Sequence, residues 1–118
     1  MSNNARVVQN SSNILRARKL IMDQANEEVW PYAFSCYVSA LVSSYNALIG
    51  IGYDEAVKLR RNCKSELGKR KSHLSYLGRG MRYRSYGILY FPMLYNLFYL
   101  IHIKLLYAKI RRQAKARK

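Results

Sequence analysis

Residues 30–50 read WPYAFSCYVSALVSSYNALIG and contain no charged side chain. Pro31 suits the first turn of a helix, where its missing N–H costs no hydrogen bond. Gly50 suits the turn that ends a helix. Apolar residues cover most of the intervening surface, so we predict a strong helix from about Trp30 to Ile49. Its narrow small and polar face consists of Ser35, Ser39, Ser43, Asn46 and Gly50. This face predicts either close approach of another helix or the wetter side of a core helix.

Charge is segregated along the rest of the chain. Residues 1–28 carry a net charge of +1 and residues 54–84 a net charge of +7, while residues 104–118 carry seven basic residues and no acidic one. The total of +15 predicts an anionic partner, which is nucleic acid, anionic lipid or an acidic protein. Because half of the residues are hydrophobic, the chain does not have the composition of a disordered basic tail.

Two further helices are predicted on either side of residues 30–50. The first runs from about residue 12 to residue 26, with Ser11–Asn13 supplying the capping oxygen. The second runs from residue 54 to residue 67, with Asp54 as its cap and Gly68 at its end. Each has a modest apolar stripe and a basic surface.

The C-terminal part is predicted to contain a short helical turn at 73–77, a break at Gly78–Gly80 and a long helix. Pro92 should start or kink this last helix, which extends to Arg112. The expected fold is all-α: a small, irregular domain of about four helices with a long amphipathic, apolar C-terminal helix. We treat residues 1–118 as a single membrane-associating region. Its segments are 1–28 (N-terminal helix), 29–53 (apolar helix), 54–84 (basic helix and loop) and 85–118 (aromatic and basic C-terminal helix).

Two uncharged stretches, of 25 residues at 29–53 and 19 residues at 85–103, are long enough to span a bilayer. Two spans would leave the basic loop and the basic tail on opposite sides, although positive charge favours the cytoplasmic side. A helix lying in the plane of the membrane avoids that conflict. We therefore expect peripheral attachment to the cytoplasmic face of the bacterial inner membrane, with an integral membrane protein as the alternative.

Basic and aromatic residues are the candidates for this attachment. The residues predicted to bind anions or lipid headgroups are Arg79, Arg82, Arg84, Lys109, Arg111 and Arg112. The tyrosines predicted to sit at the membrane interface are Tyr90, Tyr95 and Tyr99, because their rings are amphipathic. Residues 78–84 also combine two glycines with three arginines, which predicts either a concave anion-binding nest or a basic surface turn.

Catalytic and metal-binding motifs are sparse. There are six acidic residues and no D-x-D pair, and neither His73 nor His102 has an acid or a nucleophile beside it in sequence. No phosphate-binding glycine loop or dinucleotide motif is present, and Cys36 and Cys63 form no C-x-x-C pair. We expect no catalytic residue, metal or cofactor. A small basic nucleic-acid-binding protein is the second functional hypothesis, because basic side chains interleaved with aromatic ones can bind RNA or single strands. Among the aromatic residues only Tyr83 and Tyr86 lie near the arginines, and no recognised nucleic-acid-binding motif is present.

Several segments resemble a known family. They are SSNILR at 11–16, YVS at 37–39 through SSYN at 43–46, and the aromatic and basic ending from YFP at 90–92 through Arg111-Arg112. Their order resembles the region that follows the catalytic domain in bacterial family 2 glycosyltransferases of capsule and surface-polysaccharide synthesis. That family's catalytic domain, with its D-x-D motif, has no counterpart here.

The resemblance implies a helical segment that holds a glycosyltransferase catalytic domain at the inner face of the membrane. It also implies that the chain is a fragment and is inactive alone. No catalytic residue of the family can be transferred to a position of this sequence.

Overall fold

The computed structural model describes the backbone of residues 3–116 and the side chains of residues 5–116. This part of the chain is helical, which confirms the predicted all-α class. The elements are α1 (Asn3–Gln24), α2 (Trp30–Leu48), α3 (Asp54–Lys69), a 3-10 helix (Lys71–Tyr76), α4 (Arg79–Tyr90) and α5 (Pro92–Ala116). Five α-helices and a 3-10 helix thus replace the predicted four helices. Arg117 and Lys118 of the predicted basic tail lie outside the described residues.

Helix α2 lies at the centre of the fold and contacts α1, α3 and α4. Pro31 occupies its first turn, and Gly50 follows it with a φ of 83°, which glycine adopts without strain. Both predicted boundary signals are therefore confirmed. Phe34, Val38 and Leu48 are fully buried, so the apolar surface of this helix forms the core.

Helix α1 begins nine residues earlier than its predicted start at residue 12. Ser11–Asn13 lie inside the helix, so the predicted cap is wrong. Leu15 and Met22 are buried in the core that α2 organises. Packing of this side of α1 outweighs the weak preference of serine and asparagine for helix ends.

The boundaries of α3 also differ from the prediction. Tyr53 occupies the capping position and makes no side-chain capping bond, while Asp54 is the first helical residue. Asp54 and Glu55 place negative charge in the first turn, where the helix dipole favours it. The helix continues through Gly68 to Lys69.

The Gly78–Gly80 stretch begins α4 instead of breaking the chain. Gly78 is extended, with φ −60° and ψ 159°, and its carbonyl accepts a hydrogen bond from the Arg82 N–H. Ser85 and Ile88 of α4 are fully buried, so the helix is held by packing. Phe91 is non-helical, as expected before a proline, and Pro92 starts α5.

Helix α5 is attached to α2 by a reciprocal pair of hydrogen bonds. The Tyr45 hydroxyl donates to Asn96 Oδ1 at 2.8 Å, and the Tyr95 hydroxyl donates to Asn46 Oδ1 at 2.6 Å. The two tyrosine rings pack edge to face with their centroids 5.8 Å apart. Gly87 lets α4 approach α5, since a Cβ there would lie 3.0 Å from the Tyr95 ring.

Candidate functional site

The most unusual surface of the molecule is one side of α5. Met93, Leu97, Ile101 and Leu105 recur every four residues, so they share one side of the helix. Their exposed fractions are 84%, 54%, 44% and 66%. We call these four residues the outer face of α5. None of the side chains of Pro92–Ala116 is buried, so α5 contributes little to the core.

Basic residues accompany this apolar surface. Lys104 and Arg111 follow Leu97 by seven and fourteen residues, which places them on the same side of the helix. Lys109 and Arg112 are also exposed on α5. No acidic residue follows Glu66 in the sequence, and the salt bridges found within residues 5–116 join Glu66 to Lys69 and Arg70 and involve no side chain of α5. A soluble protein rarely leaves such a combination uncovered unless it contacts something.

The structure separates the three tyrosines predicted at the membrane interface. Tyr90 is exposed, stacks on Tyr86 and lies 4.8 Å from the Lys71 ammonium. Tyr95 is half-buried and bonds to Asn46 of α2. Tyr99 is half-buried and packs against the core. Two of the three therefore face the body of the protein, on the opposite side of α5 from its outer face.

The three arginines of α4 also have different environments. The Arg82 guanidinium donates hydrogen bonds to the backbone oxygens of Leu77 at 3.1 Å and Ser75 at 3.4 Å. It therefore ties the end of the 3-10 helix to α4. Arg79 and Arg84 are exposed. The predicted nest does not form, since Gly80 is helical and Gly50 is the only positive-φ residue within the described chain.

Arg84 instead lines a cavity of about 460 Å³ between α2, α4 and α5. His102 and Tyr99 line it from α5, together with the apolar Phe98 and Ile103. The sequence gives no reason to place Arg84 beside His102, because they lie eighteen positions apart. The turn at Phe91-Pro92 folds α4 back against α5 and brings them together.

Burial raises the pKa of the Tyr95 hydroxyl on the wall of this cavity. The hydrogen bond to Asn46 and the positive charge of Arg84 act in the opposite direction, without cancelling that effect. The lining residues include no acidic one, so the cavity combines the positive charge of Arg84 with apolar side chains.

A second polar cluster surrounds Glu66, which sequence inspection had treated as one acid among six. Its carboxylate accepts hydrogen bonds from Arg70 at 2.7 Å, the Tyr37 hydroxyl at 3.2 Å and Lys69 at 3.3 Å. Burial alone would raise the pKa of Glu66, but these bonds and the charge of Arg70 lower it. This fully partnered carboxylate links α3 to α2, which is a structural role.

Neither cysteine is bonded to the other: Cys63 is buried and Cys36 is exposed. In residues 5–116 there is no cluster of three or more His, Cys, Asp or Glu side chains that would hold a metal. Across residues 3–116, no helix combines the length and the hydropathy required to cross a membrane.

Comparison of the chain with protein-family models, curated proteins and solved structures finds no significant match.

Proposed function

We propose that this chain is a non-catalytic module that attaches to the surface of an anionic membrane through α5. The observation that carries the proposal is the outer face of α5, which leaves Met93, Leu97, Ile101 and Leu105 uncovered beside the basic side chains of the same helix. An in-plane helix binds a bilayer by inserting its apolar side below the headgroups while basic residues contact lipid phosphates.

The distribution of basic residues supports attachment through the outer face of α5. Lys104, Lys109, Arg111 and Arg112 all belong to the same helix as the outer face. Each basic residue close to an anionic leaflet contributes roughly 1 kcal/mol, so four of them and the apolar contacts suffice for reversible attachment. The arginines Arg79 and Arg84, on the neighbouring α4, add to the same field. Arg82 is occupied by backbone carbonyls.

The role of the predicted interfacial tyrosines changes accordingly. Tyr90 is exposed near the start of α5 and suits the headgroup region. Tyr95 and Tyr99 instead hold α5 on the body, so that its outer face points away. The module's wider role, positioning a bacterial glycosyltransferase catalytic domain at the cytoplasmic face of the inner membrane, rests on the family resemblance alone.

The proposal is tested by a matched pair of substitutions. Leu97→Asp places a carboxylate on the outer face of α5, at a side chain that is 54% exposed. Ile21→Asp makes a comparable change on α1, at a side chain that is 59% exposed. Both sites are exposed, so both variants should fold, as circular dichroism would check.

We expect Leu97→Asp to weaken co-sedimentation with anionic vesicles by about tenfold or more, because a carboxylate is disfavoured among acyl chains and repelled by anionic lipid. Ile21→Asp should weaken binding to the same vesicles by no more than about threefold, through its charge alone. Equal losses for both variants would show that net charge, and not the outer face, determines binding.

The second hypothesis is a small basic nucleic-acid-binding protein. The observation that favours it is Tyr83, which is 65% exposed on α4 and flanked in sequence by Arg82 and Arg84. An exposed ring beside cations can stack on an unpaired base. This alternative predicts RNA binding that is unaffected by Leu97→Asp and falls steeply with salt.

A further inference from the structure

The cavity between α2, α4 and α5 has a composition that the attachment of α5 does not explain. Its polar lining residues include Arg84, His102 and Tyr99, and its apolar lining residues include Phe98 and Ile103. The volume of about 460 Å³ exceeds the space that one bound ion requires. Arg84, Phe98 and His102 of its lining are exposed, so the cavity opens to solvent and is accessible to a ligand.

The polar groups of the cavity suit an oxyanion. A guanidinium forms paired hydrogen bonds to phosphate oxygens, and imidazole and phenol groups add further donors. No carboxylate lines the cavity to compete for Arg84. The Tyr95 hydroxyl is already committed to Asn46 at 2.6 Å, which fixes the adjacent wall in place.

The apolar groups suit a hydrocarbon chain attached to that oxyanion. Phe98 is 64% exposed and lies three residues before Ile101 and seven before Leu105, so this wall of the cavity adjoins the outer face of α5. Ile103 lies on the side of α5 that faces the body of the protein, with Tyr95 and Tyr99. Arg84 reaches the cavity on the side of α5 opposite the outer face, so when that face lies among the acyl chains a phosphate held by Arg84 would lie at the level of the headgroups.

We propose that this cavity binds the phosphate group of an amphiphile, with Arg84 and His102 contacting the phosphate and Phe98 and Ile103 contacting the first carbons of its apolar part. The inference deepens the proposed function and rests on it for the source of the ligand, which is a membrane lipid. It adds selectivity to the attachment, since a generic anionic surface would not need a cavity.

The experiment is a titration of the isotope-labelled full chain, followed by NMR, with soluble probes. The probes are dihexanoyl phosphatidate below its micelle concentration, inorganic phosphate and dihexanoyl phosphatidylcholine. Phosphatidate should shift the resonances of Arg84, Tyr99 and His102 at a concentration at least about tenfold lower than inorganic phosphate, because its acyl chains add apolar contact. It should also bind more tightly than phosphatidylcholine, whose phosphate is shielded by choline.

Arg84→Gln is the decisive variant, and Arg79→Gln is its control. Both arginines are exposed on α4 and both changes remove one positive charge, but Arg79 does not line the cavity. We expect Arg84→Gln to weaken phosphatidate binding about tenfold, as the loss of a charge-assisted hydrogen bond does. Arg79→Gln should weaken it by less than about twofold.

The inference would be overturned by any of three results: no shift at the cavity residues, equal binding of phosphatidate and inorganic phosphate, or equal losses in the two arginine variants. Failure of the proposed function looks different. In that case the wild-type chain would not sediment with anionic vesicles, whatever the NMR titration shows. Conversely, vesicle binding that persists without any shift in the cavity would leave the attachment intact and remove only the selectivity.

Discussion

At the scale of single residues, Glu66 shows how one buried charge is made favourable. An isolated carboxylate is costly to bury, but Arg70, Lys69 and Tyr37 all donate hydrogen bonds to this one. The same charge acts on its neighbours. The pKa values of Tyr37 and Cys63 are both raised to about 12, chiefly by burial and secondly by the charge of Glu66.

The lowered pKa of Glu66 predicts loss of stability in acid. The pKa of this carboxyl is lower in the folded state than its ordinary value of 4.5. As the pH falls through 4.5, the unfolded chain therefore binds more protons than the folded chain. Its contribution is therefore complete above pH 4.5 and is lost in more acidic solution. Glu66→Gln should lower the free energy of unfolding by about 1–3 kcal/mol at neutral pH.

Urea unfolding at neutral pH and again in acid measures this effect. Glu66→Gln should flatten the loss of stability in acid relative to the wild-type chain, because the titrating group is gone. Glu55→Gln, an exposed acid on the same helix, should keep the wild-type acid response. An unchanged acid response in Glu66→Gln would contradict the role assigned to this carboxylate.

The two thiols should differ sharply in reactivity. The thiolate is the reactive form, and burial together with the charge of Glu66 raises the pKa of Cys63 to about 12. Cys36 is exposed. Treatment of the native chain with a maleimide should add one label, and mass spectrometry should place it on Cys36.

Cys36→Ser provides the control for this labelling. This variant should remain unlabelled in native buffer and become labelled on Cys63 in urea. Rapid labelling of native Cys36→Ser would show that Cys63 is not enclosed as described.

At the scale of elements, the predictable features were those fixed by proline, glycine and a continuous apolar run. Pro31 and Gly50 bound α2 as predicted, and Pro92 starts α5. The starts of α1 and α4 were not predictable from local signals. Both contain residues that favour turns, and both are helical because a few apolar side chains pack into the core built by α2.

The candidate site was only partly visible in the sequence, for the same reason. The basic and aromatic character of α5 could be read directly. The side of α5 that faces outward could not be predicted, because Tyr95 and Tyr99 are amphipathic and suit either side. Their position depends on contacts with α2, which is distant in sequence. These contacts include the Tyr45–Asn96 and Tyr95–Asn46 hydrogen bonds.

The α4–α5 contact gives a prediction at this scale. A methyl group on Gly87 would lie 3.0 Å from the Tyr95 ring, which is held by its hydrogen bond to Asn46. Gly87→Ala gains up to about 1 kcal/mol in helix propensity, but forcing the ring aside should cost about 1–3 kcal/mol. The net result expected in urea unfolding is destabilisation by about 1 kcal/mol.

Gly80→Ala is the matched control on the same helix. A methyl group there meets no atom within 4 Å, so this variant should be neutral or slightly stabilised. If Gly87→Ala were as stable as Gly80→Ala, the close packing of α4 on α5 would not hold in solution.

At the scale of the whole molecule, charge and apolar exposure are concentrated in the same half. Residues 67–118 contain thirteen basic residues and no acidic one, whereas residues 1–66 contain eight basic and six acidic residues. The long α5, whose outer face is uncovered, belongs to the basic half. The N-terminal half supplies most of the core, and the C-terminal half supplies the surface that we propose for attachment.

The measurement that tests this account most directly is sedimentation of the wild-type chain with anionic and with neutral vesicles, at low and high salt, with RNA as competitor. We expect the chain to bind anionic vesicles in preference to neutral ones. Salt should weaken that binding without abolishing it, because the apolar contacts of α5 are not screened, and RNA should not displace the chain. Absence of binding to anionic vesicles, or its complete loss to RNA, would contradict membrane attachment through α5.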